Sequence, residues 1–488
     1  MNIDIKKKDI SDIDVDLLLV GMWKDEHHNS FTQKLPDQIQ KEIKQAIHSK
    51  AFKGEFNQKI SISTLGKIPA KKVLVLGLGE KEKFTSEQLR RLAGNTVRVA
   101  KGLHAQSIAS VVHIQNELPK TVQVQAFAEG CFLGNYQYID YVTQGKEDRT
   151  EISSVHLLQE DSEDSSLKKA KVICEAVNYT RQLVNGPPHE VTPEYLAKEA
   201  KKLKDVKVTI FDKKKIKELG MGGLTAVGQG SAHEPYFIIL DYGPVDQKPL
   251  AIVGKGVTFD AGGINTKPAK FMEDMKSDMS GAAAVLGVFK ALPKLGLKKR
   301  VVGIVPTAEN MPGGSSFRID DIITFYNGKT AEVNHTDAEG RLILADGLSY
   351  VEKHYHPKRM IDIATLTGAC VVALGYWATA LLSTDEDFAH EVMKAGEESG
   401  DRVWRLPFWD DYKEGIKSKI ADVRNSGKGF DAGTIEAGHF LSHFVDKTPW
   451  VHLDIAGTAF FGDAKHYHAA GGTGAGVRLL LKYIENSK

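Results

Sequence analysis

The chain has 488 residues, too many for one ordinary hydrophobic core, so two domains are expected. Its 64 lysines and arginines nearly cancel 63 aspartates and glutamates, which removes any global electrostatic case for nucleic acid and makes runs such as Lys6-Lys7-Lys8 and Lys213-Lys214-Lys215 solvated faces. Cys131, Cys174 and Cys370 are scattered without a C-x-x-C pair, which excludes a zinc ribbon or disulfide framework and fits a reducing cytoplasm.

In chain order, DVDLLLVG, KKVLVLGLG, SIASVVH and ISSVHLL read as strands of a first part. The stretch TSEQLRRLAGNTVRVAKGL between them reads as a helix capped at Thr85 or Ser86. The apolar LLLVGMW follows acidic SDIDVD, so no signal-peptide core is expected, and no apolar run approaches the roughly 20 residues of a membrane span. Polar residues Gln159 to Ser166 form the linker candidate. A helix is expected from Leu167 to Val184, with Leu167, Ala170, Ile173, Cys174, Val177 and Val184 on one side, ending at Asn185-Gly186-Pro187-Pro188. The second part alternates KVTIFD, YFIILD, PLAIVGKG, RVVGIVP, MIDIATL and WVHLDIA with helices, the pattern of a mixed or parallel sheet covered on both faces. The expected fold is α/β: a smaller N-terminal α/β domain, 1–166, then a larger α/β domain, 167–488, with a mixed sheet flanked by helices and 167–184 as the linking helix. No internal repeat is evident. His466 and His468 lie in a Gly-Ala-rich loop and are expected to face solvent.

The chemistry concentrates in His335-Thr336-Asp337-Ala338-Glu339-Gly340-Arg341-Leu342. Positions two apart on a helix splay by about 200°. Asp337 and Glu339 are therefore expected to share a face in an extended segment, where a strand hands over to the helical stripe Leu342, Leu344, Ala345, Leu348 and Val351. Adjacent carboxylates repel unless one keeps its proton or a cation intervenes. The spacing alone also allows a solvated acidic turn with Arg341 as its ion-pair partner. A second stretch, from Leu250 to Leu292, passes from a buried strand through Lys255, Asp260, Lys267 and Asp278 into a small-residue helix near Ser280. Open α/β sheets place ligands at such edges. Asp260, Asp278, Asp337 and Glu339 supply enough oxygen donors for two divalent cations.

These motifs closely resemble those of the leucyl aminopeptidase (cytosol aminopeptidase) family of binuclear-metal exopeptidases. The resemblance rests on T-D-A-E-G-R-L at Thr336–Leu342, G-K-G-V-T-F-D-A-G-G at Gly254–Gly263, the M-K-S-D-M-S-G-A-A run at Met275–Ala283 and A-T-L-T-G-A at Ala364–Ala369. It extends through the L-V-N-G-P-P-H run from Leu183, A-D-V-R-N-S-G at Ala421–Gly427 and H-L-D-I-A-G-T-A at His452–Ala459, in the family's order. Before Leu183 it is weaker, with E-G-C-F-L-G-N-Y at Glu129–Tyr136 its best echo.

The resemblance implies that Asp260 and Glu339 bridge two metals, that Lys255 and Asp278 complete the tighter site, and that Asp337 holds the more exchangeable ion. It implies catalytic roles for Lys267 and Arg341, an apolar pocket wall at Met275, and peptide hydrogen bonding along Thr365, Leu366 and Gly368. Lys255 can ligate only as a neutral amine, so its pKa must fall below the roughly 10.4 of free lysine, a shift two dications would drive. Lys267 would stabilise the developing oxyanion. Arg341 would hold bicarbonate, the family's general base, in its planar fork. Spacing alone leaves Lys267 readable as a surface lysine and Lys255 as a turn residue; no Walker pattern surrounds Lys255. His335 stands where the family has asparagine, and simple tolerance is expected rather than a further ligand.

The function implied is removal of N-terminal amino acids, preferably apolar ones such as leucine, from peptides by two-metal-activated water. Mn2+ or Zn2+, with Mg2+ a third candidate, suits the donors. The resemblance also implies a cytoplasmic homohexamer organised by the N-terminal domain. A non-catalytic or nucleic-acid-binding member of the same fold is the alternative, opposed by the full set of site residues and the charge balance. A two-metal phosphoesterase is a third reading, opposed by the lysine ligand and the lack of histidine ligands.

Overall fold

The computed structural model describes residues 1–145, 149–160, 164–427, 429 and 431–487. They form two compact units, Met1–Cys174 with Ala464–Ala469, and Glu175–Asp463 with Ala470–Lys488. The linker candidate at 159–166 lies partly outside the described residues, and its described C-terminal end already belongs to a helix.

The first unit holds a six-stranded sheet of β1 (Asn2–Lys6), β2 (Leu17–Trp23), β3 (Lys59–Ser63), β4 (Lys72–Gly79), β5 (Ser107–Ser110) and β6 (Ser154–Leu158), in the order β1-β6-β5-β2-β4-β3. Only the β3–β4 pair is antiparallel. Alternate residues of β2 serve opposite faces, as the pleat requires. Leu17 and Leu19 join Leu89, Leu92 and Phe127 on one side, while Leu18 and Val20 join Ile39 and Ile43 on the other. Both faces are covered, which is why DVDLLLVG reads as a continuous apolar run. The helix α1 (Ser86–Gly102) starts at a capping box: Thr85 Oγ1 accepts from Gln88 N at 3.2 Å and Gln88 Oε1 from Thr85 N at 2.9 Å. Against expectation, the loop of His466 and His468 does not simply face solvent. Its Tyr467 is buried in the first unit with the hydroxyl on Glu87 Oε1 at 3.0 Å, and both histidines are half-buried.

The helix α2 (Asp164–Asn185) contains the expected 167–184 segment. In the second unit come β7 (Lys207–Phe211), β8 (Tyr236–Tyr242), β9 (Leu250–Gly254), β10 (Gly256–Asp260), β11 (Val301–Asn310), β12 (Ile322–Thr324), β13 (Thr330–Glu332), β14 (Arg359–Ala364), β15 (Thr379–Ser383), β16 (Val403–Arg405), β17 (Val423–Arg424) and β18 (Trp450–Asp454). Nine of them form a mixed sheet, β16-β15-β18-β14-β9-β11-β8-β7 with β10 beside β11, and β12-β13-β17 form a small separate one. The central strands β18, β14, β9 and β11 run parallel, and β9 and β11 are buried along their whole length. Two helices that follow the site loops pack here: α3 (Ser280–Leu295) and α4 (Gly340–Tyr355), the latter buried from Gly340 to Val351. The expected two-domain α/β class is therefore present. Among the described residues, no helix is long and apolar enough to cross a membrane.

The central strands deliver the site. Lys255 follows the end of β9, Asp260 ends β10, Asn310 ends β11, Thr365 follows β14 and Asp454 ends β18. The carboxyl edge of a parallel sheet is where ligands bind in such folds.

Candidate metal centre and active site

Lys255, Asp260, Lys267, Asp278, Asp337 and Glu339 converge at that edge. Lys255 Nζ lies 2.8 Å from Asp278 Oδ2 and 3.0 Å from Glu339 Oε1, and donates to Thr365 O at 2.8 Å. Lys267 Nζ lies 2.9 Å from Asp260 Oδ2 and 2.5 Å from Asp337 Oδ1. Asp260 Oδ1 accepts from Gly262 N at 2.9 Å and Asn310 Nδ2 at 2.8 Å. The backbone turn after Asp260 needs φ +89° at Gly262, a conformation open to glycine. Asp278 lies in the 3-10 turn Met275–Met279 that runs into α3, and Thr365 Oγ1 donates to its Oδ1 at 2.7 Å.

Asp337 and Glu339 meet by a different route from the one expected. The segment is not extended: Thr336 and Asp337 form a turn, and Glu339 caps α4 with φ −85° and ψ −34°. Asn425 imposes the turn. Its Oδ1 accepts from Asn334 N at 2.9 Å and His335 N at 3.3 Å, and its Nδ2 donates to His335 O at 2.7 Å. Thr336 is fixed as well, its Oγ1 donating to Gly262 O at 2.6 Å. Arg341 forms no ion pair with either acid; its Nη1 donates to Asn425 O at 2.7 Å, and among the described residues its buried Nε has no hydrogen-bond partner. His335 turns Nδ1 to the amide of Asp337, 3.2 Å away.

Four carboxylates here face two ammonium groups. Burial, then the charges of Asp260 and Glu339, pushes the Asp337 carboxyl up to about 7. The Glu339 and Asp278 carboxyls are raised too, first by burial. Burial disfavours the Lys255 ammonium, but Asp278, Glu339 and Asp260 outweigh it and hold its pKa above the ordinary value. The fall expected for a ligating amine thus needs the cations themselves, because carboxylates alone drive the shift the other way. Burial, opposed by Glu339, Glu436 and Asp454, brings the Arg341 guanidinium down to about 10.

The donor set fits a divalent cation. One oxygen each of Asp260, Asp337 and Glu339 lies within 4.8 Å of the others. Asp278 Oδ2, Asp337 Oδ1 and Glu339 Oε1 are buried without an aligned hydrogen bond, although a lysine ammonium stands 2.5 to 3.0 Å from each. An excess of buried anionic oxygen with unused lone pairs is what a cation neutralises.

The remaining expected residues adjoin this cluster. Thr365 and Leu366 are half-buried between β14 and the helix α5 (Gly368–Leu374), which the exposed Gly368 opens. Met275 is half-buried at the start of the turn carrying Asp278. Asn310, Asn425 and Asp454 also brace the site, and the sequence assigns them no role. Asn425 and Asp454 lie inside quoted motifs, A-D-V-R-N-S-G and H-L-D-I-A-G-T-A, which gave a signal without a role. Asn310, at the end of a buried strand, gave none.

Comparison with known proteins matches residues 178–481 to the catalytic domain, and residues 19–144 to the N-terminal domain, of the cytosol aminopeptidase family. A probable cytosol aminopeptidase of Geobacter sp. (strain M21) is 41% identical over 476 residues, covering 96% of each chain. That of Cenarchaeum symbiosum (strain A) is 43% identical over 454 residues, covering 91% of each. Among solved structures, the bottromycin maturation enzyme BotP in complex with Mn aligns with a TM-score of 0.86 at 32% identity, over 96% of this chain and 99% of that one. A tomato leucine aminopeptidase mutant aligns with a TM-score of 0.87 at 34% identity, over 99% of this chain and 96% of that one.

Proposed function

The chain belongs to the cytosol aminopeptidase family and is a metallo-aminopeptidase, and on that premise we propose that it removes apolar N-terminal residues, leucine foremost, from peptides at a two-cation centre. The convergence of Asp260, Asp337 and Glu339 oxygens within 4.8 Å, with Lys255 and Asp278 adjoining, carries this reading. Asp260 and Glu339 would bridge the pair, Lys255 and Asp278 would complete the tighter position, and Asp337 the exchangeable one. When bound, such cations make water nucleophilic near neutral pH and polarise the scissile carbonyl. Mn2+ or Zn2+ suits an oxygen-rich set with one amine, and Mg2+ is the third candidate. The Mn in BotP supports the first of these.

The side chains supply the rest. With cations balancing the carboxylates, the Lys267 ammonium, here 2.9 Å from Asp260 Oδ2 and 2.5 Å from Asp337 Oδ1, would donate to the oxygen that gains charge as the carbonyl is attacked. Arg341, with Nε free of hydrogen bonds, would hold a bicarbonate that accepts the proton of the attacking water. The Thr365, Leu366 and Gly368 backbone aligns the peptide, and Met275 walls the pocket for the first side chain, which favours apolar residues. The smaller N-terminal domain, non-catalytic, would organise a cytoplasmic homohexamer; a monomeric mass in sedimentation would overturn that assembly.

Turnover of leucine 4-nitroanilide after loading with Mn2+ or Zn2+ tests the reaction. The expected result is hydrolysis that chelation abolishes and that falls at least about 1,000-fold in Asp260→Ala and Glu339→Ala. Normal turnover by either variant in metal-replete buffer would sink the mechanism.

A further inference from the structure

Asp454 is a fully buried carboxylate that binds no lysine or arginine within ion-pair distance among the described residues. A carboxylate accepts hydrogen bonds and donates none, so its burial is tolerated only where donors surround it. Among the described residues, all hydrogen-bond partners of the carboxylate sit on two loops. Oδ1 accepts from Leu366 N at 3.0 Å and from Ala456 N at 3.1 Å, and Oδ2 accepts from Thr367 Oγ1 at 2.6 Å.

The Thr367 hydroxyl has a single proton, and Asp454 takes it. Thr434 Oγ1, 2.7 Å away, must therefore be the donor in its contact with Thr367, and Cys370 N donates to the same oxygen at 3.2 Å. Every valence of that hydroxyl is then used, in one orientation only. Thr365, two residues before, is tied from the other side: its Oγ1 donates to Asp278 Oδ1 at 2.7 Å, and its O accepts from Lys255 Nζ at 2.8 Å. The segment thus hangs between the candidate metal ligands and β18.

Leu366 packs against the apolar core of the second unit, but α5, which continues the segment, adds little apolar burial. Cys370 is the one buried residue of α5, whereas Gly368, Val372 and Ala373 are exposed. The register of β14 on β18 sets Ala364 opposite Asp454, which delivers the carboxylate to the base of the segment.

We propose that Asp454 is a positioning residue for the aminopeptidase reaction, holding the peptide-binding backbone of Thr365–Gly368 through Leu366 N and the Thr367 hydroxyl. The proposal rests on the peptide-aligning role given to this segment above. Backbone bonds to the substrate are made in ground and transition states alike, so loosening them raises KM and spares kcat.

The test uses full-length, metal-loaded protein and leucine 4-nitroanilide. Thr367→Val keeps the shape of the side chain and removes its hydroxyl, and Asp454→Asn removes the charge. Each is expected to raise KM on the order of tenfold, with kcat within about threefold and the bound metal content unchanged. Thr367→Ser, which keeps the hydroxyl, should restore KM to within about twofold. If Asp454→Asn fails to fold, the two Thr367 variants decide alone. A wild-type KM in Thr367→Val, or a Thr367→Ser variant as impaired as Thr367→Val, overturns the positioning role. Wild-type protein inactive on the anilide with either metal overturns both this proposal and the reaction it serves.

Discussion

His335 is bulkier than the asparagine that the family resemblance leads one to expect, yet it does an asparagine's work. Its Nδ1 accepts from Asp337 N, two residues on, at 3.2 Å. An asparagine Oδ1 makes the same two-residue bond in an Asx turn. As an acceptor, Nδ1 carries no proton, which assigns the ring hydrogen to Nε2 through the hydrogen-bond network. Burial, then Lys267 and Arg341, holds the imidazole below its ordinary pKa, which keeps it in this neutral form. His335→Asn is therefore expected to bind Mn2+ within about twofold of wild type. His335→Leu loses the acceptor and about 1 kcal/mol, close to a fivefold weaker affinity. Calorimetric titration of chelator-treated protein reads both. Equal affinities for wild type and the leucine variant would remove the turn-holding role.

Among the elements, the start of α4 fits closely against the site. A Cβ on Gly340 would stand 2.4 Å from Lys255 Cε and 2.6 Å from its Nζ. A methyl there must push the Lys255 ammonium, the far end of a flexible side chain, off Asp278, Glu339 and Thr365 O. Alanine is the better helix former by about 1 kcal/mol, so Gly340→Ala should leave the thermal midpoint within a few degrees of wild type. Activity on leucine 4-nitroanilide should nevertheless fall about 100-fold, the usual cost of misplacing a reacting group by about 1 Å. An equally large loss of stability would point to a folding defect instead. This crowding could not be read from T-D-A-E-G-R-L, since Lys255 is remote in sequence. Local pattern carried much else: a helix start at Thr85 or Ser86, the helix through 167–184, and the strands that deliver Lys255 and Thr365. It failed for the Thr336–Asp337 turn because Asn425, on a distant loop, decides that geometry. A two-residue spacing distinguishes helix from strand, but it does not reveal a turn imposed from outside.

At the scale of the whole molecule, the family motifs made the catalytic unit legible, whereas the first unit offered strands and a helix but no chemistry. The return of Ala464–Ala469 to the first unit had no local signal, because it depends on Tyr467 finding the buried Glu87. The first unit also holds a pH-dependent part of the stability. His113 is fully buried, its ring beside Phe127 at 5.8 Å, its Nε2 3.1 Å from Gln159 Oε1 and its Nδ1 without a hydrogen-bond partner. Burial pulls its pKa down from 6.5 to about 4, against a weaker opposing effect of Gln159. A folded-state pKa below the unfolded one means that the unfolded chain takes up the proton first. The stabilisation is therefore complete above pH 6.5 and is lost as pH falls towards 4, by about 3 kcal/mol in all. His113→Leu has no proton to gain. It should unfold at a denaturant concentration no higher than wild type at pH 7.5, and the difference should shift in its favour by about 2 kcal/mol at pH 4.5. Carboxylates titrating elsewhere are common to both proteins and cancel in the comparison. Urea midpoints that run parallel for the two proteins from pH 7.5 to 4.5 would show that His113 is charged or solvated in the folded chain, and that the acid sensitivity lies in other groups.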